Sequence, residues 1–170
     1  MGSGNQCPCK FRLDISGNGP AAVPATVTIT SPGKPERTLT GTINFSAEEC
    51  FTGDAKCNPK VDNFNVKFSD NTQPPNAKTL NLTQGRRGMI SCSDGTAATL
   101  LGGTAQGAGN SIPHEQFMVD FIYTITGPNT ANLTVTATGE DGTIVTYTVT
   151  GAPISSRTFI GDCSQTVSGG

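Results

Sequence analysis

Residues 116–150 constrain the fold more than any other stretch of the chain. They read QFMVDFIYTIT, GPNT, ANLTVTAT, GEDG and TIVTYTVT, three alternating runs separated by two turn-forming segments. Phe117, Val119, Phe121, Tyr123 and Ile125 share one face of the first run. Leu133, Val135 and Ala137 do so in the second, and Val145, Tyr147 and Val149 in the third. Strict period-two alternation places every second side chain on the same side of a strand. The pattern predicts a three-stranded antiparallel meander, and nothing in it names a reaction.

Upstream, Phe11, Leu13 and Ile15 alternate with Arg12 and Asp14 and predict a first strand. Residues 23–30, 38–45 and 64–68 predict three more, with Gly41 marking a bulge or a close approach. Short strands are expected at 80–82, 88–93 and near 157–160, while 97–101 is open between strand and short helix. Residues 102–110 (GGTAQGAGN) read as a flexible loop, and the prolines of SDNTQPPN forbid regular pairing there. About nine short strands at this spacing suit an all-β sandwich or barrel. The expected architecture is a two-sheet antiparallel β-sandwich of immunoglobulin-like or jelly-roll type over residues 11–170. A flexible, Cys-bearing N-terminal arm, residues 1–10, precedes it.

Length allows one domain with a real core, since the chain has 170 residues. Charged residues make up 14% and the net charge is −2. A nucleic-acid partner would need a basic footprint, so none is expected. No apolar run approaches the ~20 residues of a membrane-spanning helix. Residues 1–6 (MGSGNQ) lack the charged and apolar regions of a signal peptide, so a removed signal or another export route is expected.

Six cysteines on a β-rich, low-charge chain point to disulfides and an oxidising location, extracellular or at the cell surface. Cys50 and Cys57 flank a short loop that a disulfide could clip, and Cys92 with Cys163 could tie a mid-chain strand to the last one. Cys7 and Cys9, separated only by Pro8, each need a partner elsewhere: in the same domain, or in the next molecule. Zinc is set aside, because the chain offers one histidine and no CxxC pair.

Catalytic groups are not visible. His114, the lone histidine, has no nucleophile-elbow serine to serve, and the carboxylates are scattered. No cofactor or metal is expected, and the chain is read as a non-enzyme. Asp120 belongs to the outward face of its strand. Tyr123 and Tyr147 face the core, which leaves no aromatic platform for a neutral glycan. Arg86 and Arg87, between glycines, could meet an anionic glycan, although two loop charges are usually only solvated. Thr-X-Thr recurs, and a flat Thr array resembles the surfaces of some ice-binding proteins. Here the intervals are irregular, and Thr is common on outward sheet faces. Asn44, Asn81 and Asn132 head glycosylation sequons, in or beside predicted strands.

A β-domain behind a Cys7/Cys9 arm is similar in layout to bacterial surface-fibre subunits such as endospore appendage proteins. The resemblance implies a structural subunit that forms an extracellular homo-polymer through its arm and sheet edges, with disulfide sealing as an option. Cys7, Cys9, Phe11, Leu13 and Ile15 are the candidate intersubunit residues. The alternative is a monomeric secreted adhesin or ligand-binding module, with a surface or glycan ligand held at 102–110 or at Arg86–Arg87. Either way Phe121 belongs to the core. Phe121→Asp is expected to unfold the domain by placing an unpaired charge there. A cooperative thermal transition retained by the variant in circular dichroism would contradict the inward face.

Overall fold

A computed structural model describes residues 9–17, 22–51, 63–72, 76–86, 89–93, 96–155, 158–160 and 165–167. Twelve strands form: β1 (Cys9–Ile15), β2 (Val23–Thr30), β3 (Arg37–Phe51), β4 (Asn63–Asp70), β5 (Asn81–Arg86), β6 (Met89–Ser93), β7 (Ala97–Ala108), β8 (Gln116–Ile125), β9 (Thr130–Gly139), β10 (Ile144–Pro153), β11 (Phe159–Ile160) and β12 (Gln165–Val167). The meander is present as β8, β9 and β10, with β8 and β9 in continuous register. Its inward faces are those the alternation marks: Phe117, Val119, Phe121, Tyr123, Leu133, Val135, Ala137, Val145, Tyr147 and Val149 are all buried.

The expected two-sheet sandwich does not form. One sheet runs β3-β2-β10-β9-β8-β7-β5-β4 and returns to β3, so eight antiparallel strands close into a barrel. The alternation is the same in both architectures, because each hides one face of every strand. What closes the ring is β3, which is 15 residues long. Residues 37–43 pair with β2 on one edge, while 41–48 pair with β4 on the other. Beyond the ring, residues 45–51 pair with β1, an extra strand outside it. Strand β11 adds to β1, and β6 with β12 adds to the start of β7.

Curvature comes from three bulges. Register shifts occur between Thr83 and Arg86, Leu100 and Gly103, and Val149 and Ala152. Each contains a residue in left-handed backbone: Gln84 at φ 56°, Gly102 at 68° and Gly151 at 68°. A bulge bends and twists its strand, which lets a sheet curl shut. It also leaves a backbone amide without a ladder partner. Asp120 Oδ1 accepts from Gly102 N at 2.8 Å and Asn132 Oδ1 from Gly151 N at 2.9 Å, so outward side chains of neighbouring strands satisfy two of these amides.

The segment read as a flexible loop, 102–110, is instead mostly strand β7. Its glycines answer to crowding. A Cβ on Gly103 would strike Leu100 and the Arg86 carbonyl, and one on Gly107 would strike the Pro113 carbonyl and Phe117. Similarly Gly41, marked from sequence as a bulge or close approach, is a close approach to Ser69 and Asp70 of β4 within an unbroken register.

An eight-stranded barrel has an interior about wide enough for side chains to fill. Here Phe45 and Phe64 pack edge-on against Phe121, with centroids 5.3 and 5.8 Å away, and Phe68 meets Tyr147 at 6.4 Å. Ala25, Ala98, Ala105 and Ala137 are small buried residues of the same core. The Tyr147 hydroxyl donates to the Leu80 carbonyl at 3.1 Å. Outside, Thr38, Thr28, Thr146 and Thr136 form one cross-strand row, and Thr40, Thr26, Thr148 and Thr134 the next. Apolar inside and threonine-rich outside is the reverse of the polarity of a membrane-spanning barrel.

Gly41→Ala is expected to cost about 1–3 kcal/mol, because its methyl group would land on the β4 backbone. Chemical denaturation reads this as a lower midpoint at unchanged slope; a neutral result would contradict the close approach.

Candidate functional site

Two poles of the barrel differ in chemistry. Strand β3 runs from one, at Arg37, to the other, at Phe51.

At the Arg37 pole, the β2–β3 turn, the loop 109–115 and the β9–β10 turn enclose a cleft of about 440 Å³. Lys34 N donates to Ser31 O at 3.1 Å, which closes the first turn between Pro32 and Pro35. The loop 109–113 is fastened to 77–79. Asn110 Oδ1 accepts from Thr79 N at 2.8 Å, Asn110 N donates to Thr79 Oγ1 at 2.9 Å, and Asn110 Nδ2 donates to Ala77 O at 2.9 Å. Ser111 N adds a bond to Thr79 O at 3.1 Å. So held, the loop drives Ile112 into the barrel end, where it is 6% exposed.

Arg37 lies on the inward face of β3, two residues before Leu39 and four before Gly41, but at the strand's first position it reaches solvent. Arg37 and Lys34 line the cleft together, and among the described residues neither forms an ion pair. Asp141, in the β9–β10 turn that Gly142 completes at φ 91°, lines the same cleft. Its Oδ1 accepts from Thr143 N at 2.9 Å, and its own amide donates to Glu115 Oε2 at 3.2 Å. Glu115 can reach in only because residue 139 is glycine; a Cβ there would overlap its carboxylate. Ser31 and Thr143 set their hydroxyl oxygens 3.3 Å apart. The hydrogen bond from the Thr143 amide is the main cause holding the Asp141 carboxyl below its ordinary range.

At the far pole, β1 lies on the β3 overhang and also touches β6 and β12. Leu13 and Ile15 are each 1% exposed, and Arg12 bridges to Glu48 at 2.8 Å. The Tyr123 hydroxyl and Thr158 Oγ1 are buried beside each other here, and burial raises the Tyr123 hydroxyl above its ordinary range.

Of the other sequence candidates, Phe11 pairs through its backbone with Glu49 and Ile160. Cys9 stands opposite Phe51, and Cys50 opposite Lys10, on neighbouring strands. Cys92 stands opposite Ala98 and Gln165. Cys7, Cys57, Cys163, Arg87 and residues 1–6 lie outside the described residues. His114 is exposed, with its Nε2 on the Gly109 carbonyl. Asn44 accepts from Gly17 N, Asn81 from Phe68 N and Asn132 from the Gly151 bulge, so all three sequon asparagines act as backbone supports. The threonine rows align as sequence intervals could not reveal, but they span four of the ring's eight strands and therefore curve, unlike a flat lattice. Sequence reasoning missed the cleft, because its residues come from three distant turns. No helix among the described residues is long and apolar enough to cross a membrane.

Asp141 and Asp70 both carry depressed carboxyl pKa values; for Asp70 the chief cause is the Lys78 amide, 2.8 Å away. A depressed folded value stabilises the fold above the unfolded value of about 3.9 and is lost as pH falls through the folded one. Melting temperature is therefore expected to drop below about pH 4, and the D70N/D141N double variant should flatten that limb. An unchanged acid limb would remove these groups from the linkage. Compared with known protein families, curated proteins and solved structures, the chain matches none.

Proposed function

We propose that this protein is a structural subunit that assembles outside the cell into a fibre by exchanging β1 between copies. One observation carries the reading: β1 is not a member of the closed ring, yet it fills part of the core. Closure removes the edges of the eight ring strands, and closed barrels resist edge-to-edge association for that reason. The β3 overhang, which β1 covers, and the start of β7, which β6 covers, are the exceptions. Without β1, residues 45–51 would present an open edge above the sites that Leu13 and Ile15 occupy.

The strand that fits this edge is β1 of the same chain or of another copy. Seven register pairs, from Cys9–Phe51 to Ile15–Phe45, would be equivalent in either arrangement. Exchange then costs few contacts, as in domain swapping and donor-strand complementation. Seven residues, 16–22, separate β1 from β2, which limits a donated strand to about 25 Å from its own barrel. Sparse charge and a threonine-rich wall suit packing of subunits outside the cell.

The test pairs negative-stain microscopy with size-exclusion chromatography. The full chain is expected to form filaments. A chain lacking residues 1–16 should form none, and a synthetic peptide of residues 9–17 should bind it and sharpen its thermal transition. A full chain that stays monomeric as concentration rises, or a truncated chain that still polymerises, would overturn the proposal.

A further inference from the structure

We propose that the cleft at the Arg37 pole binds an acidic sugar, with Lys34 and Arg37 taking its carboxylate and Asp141 its hydroxyls. The site lies at the opposite end of β3 from β1, so it does not depend on whether copies exchange strands.

Four features of the cleft converge. Its volume of about 440 Å³ falls in the ligand-site range, and barrel mouths are recurrent places for such sites. Two cations face into it without ion-pair partners among the described residues, and Arg37 reaches it from the barrel's inward face. An arginine fork suits a planar carboxylate, while a lysine adds a mobile point charge. The remaining lining alternates hydrogen-bonding groups (Ser31, Ser111, Thr143) with apolar ones (Ile29, Ile112, Pro113). A sugar ring asks for both, since it offers hydroxyls at its edge and C–H groups on its faces.

Asp141 decides between ligand classes. Its carboxyl is held below the ordinary range, so at neutral pH it is an anion inside the same cleft. A sulfate has no donors to offer it, and inorganic phosphate offers at most its P–OH groups on a charged centre, so both are repelled more than a neutral hydroxyl would be. A uronic acid offers both a carboxylate for the two cations and hydroxyl donors for Asp141, and all three residues line the same cleft. The supporting turns are already fastened, by Asn110 to Ala77 and Thr79 and by the Lys34–Ser31 bond, so little ordering is needed on binding.

The experiment is an NMR titration of the folded chain with D-glucuronate, beside D-glucose, glycine and inorganic phosphate. Glucuronate is expected to shift the amides of Lys34, Arg37, Ser111 and Thr143, and to bind about tenfold or more tightly than each of the other three. R37A and K34A, both solvent-exposed positions, should each weaken glucuronate by about tenfold with the spectrum otherwise retained. K67A, outside the cleft, should leave it unchanged. Absence of those shifts, glucose or glycine binding equal to glucuronate, or phosphate alone reproducing the shifts as tightly would each overturn the proposal.

Discussion

Ring closure through β3 is the constraint on which the rest of the structure depends. A strand has two edges, and β3 uses both within one span: residues 41–43 are paired with β2 and β4 at once. That overlap joins the two ends of the sheet. It also forces the backbones together, and Gly41 is where they meet, with no room for a side chain toward Ser69 and Asp70. Because β3 continues past the end of β2, it leaves an overhang, and the overhang is why β1 has somewhere to pair.

Closing a sheet of only eight strands demands strong curvature, and this chain meets the demand locally. The three bulges carry left-handed residues, one of them the non-glycine Gln84. Asp120 and Asn132 reach across from adjacent strands to satisfy the amides that two bulges release. The core answers in the same terms. Large rings at Phe45, Phe64, Phe68 and Phe121 are set against small residues, so the lumen is packed, and any binding must occur at its ends.

The two ends are therefore where function is to be sought, and they are built for different partners. The Arg37 end is rigid: proline-flanked turn, pinned loop, and a carboxylate held ionised by a backbone amide. The β1 end is an apolar joint between a ring and a strand outside it, with Leu13 and Ile15 buried against the core. A subunit that exchanges strands at one end while presenting a polar cleft at the other would polymerise without covering its own binding site.

Alternation alone determined the meander strands, their inward faces and the part of the core they carry. Phe117 through Tyr123, Leu133 through Ala137 and Val145 through Val149 are buried as their spacing requires, because a side chain two residues on returns to the same face. Sandwich and barrel share that pattern, so the choice between them lay in long-range pairing, in whether β4 returns to β3. The glycines of 102–110 were read as freedom when they are crowding, since flexibility and close approach place the same residue in the sequence. Thr28 and Thr146 became neighbours, and Lys34 and Asp141 came to line one cleft, only when the fold fixed the register. Local sequence sets which face a side chain takes; only the folded ring decides which distant side chains share it.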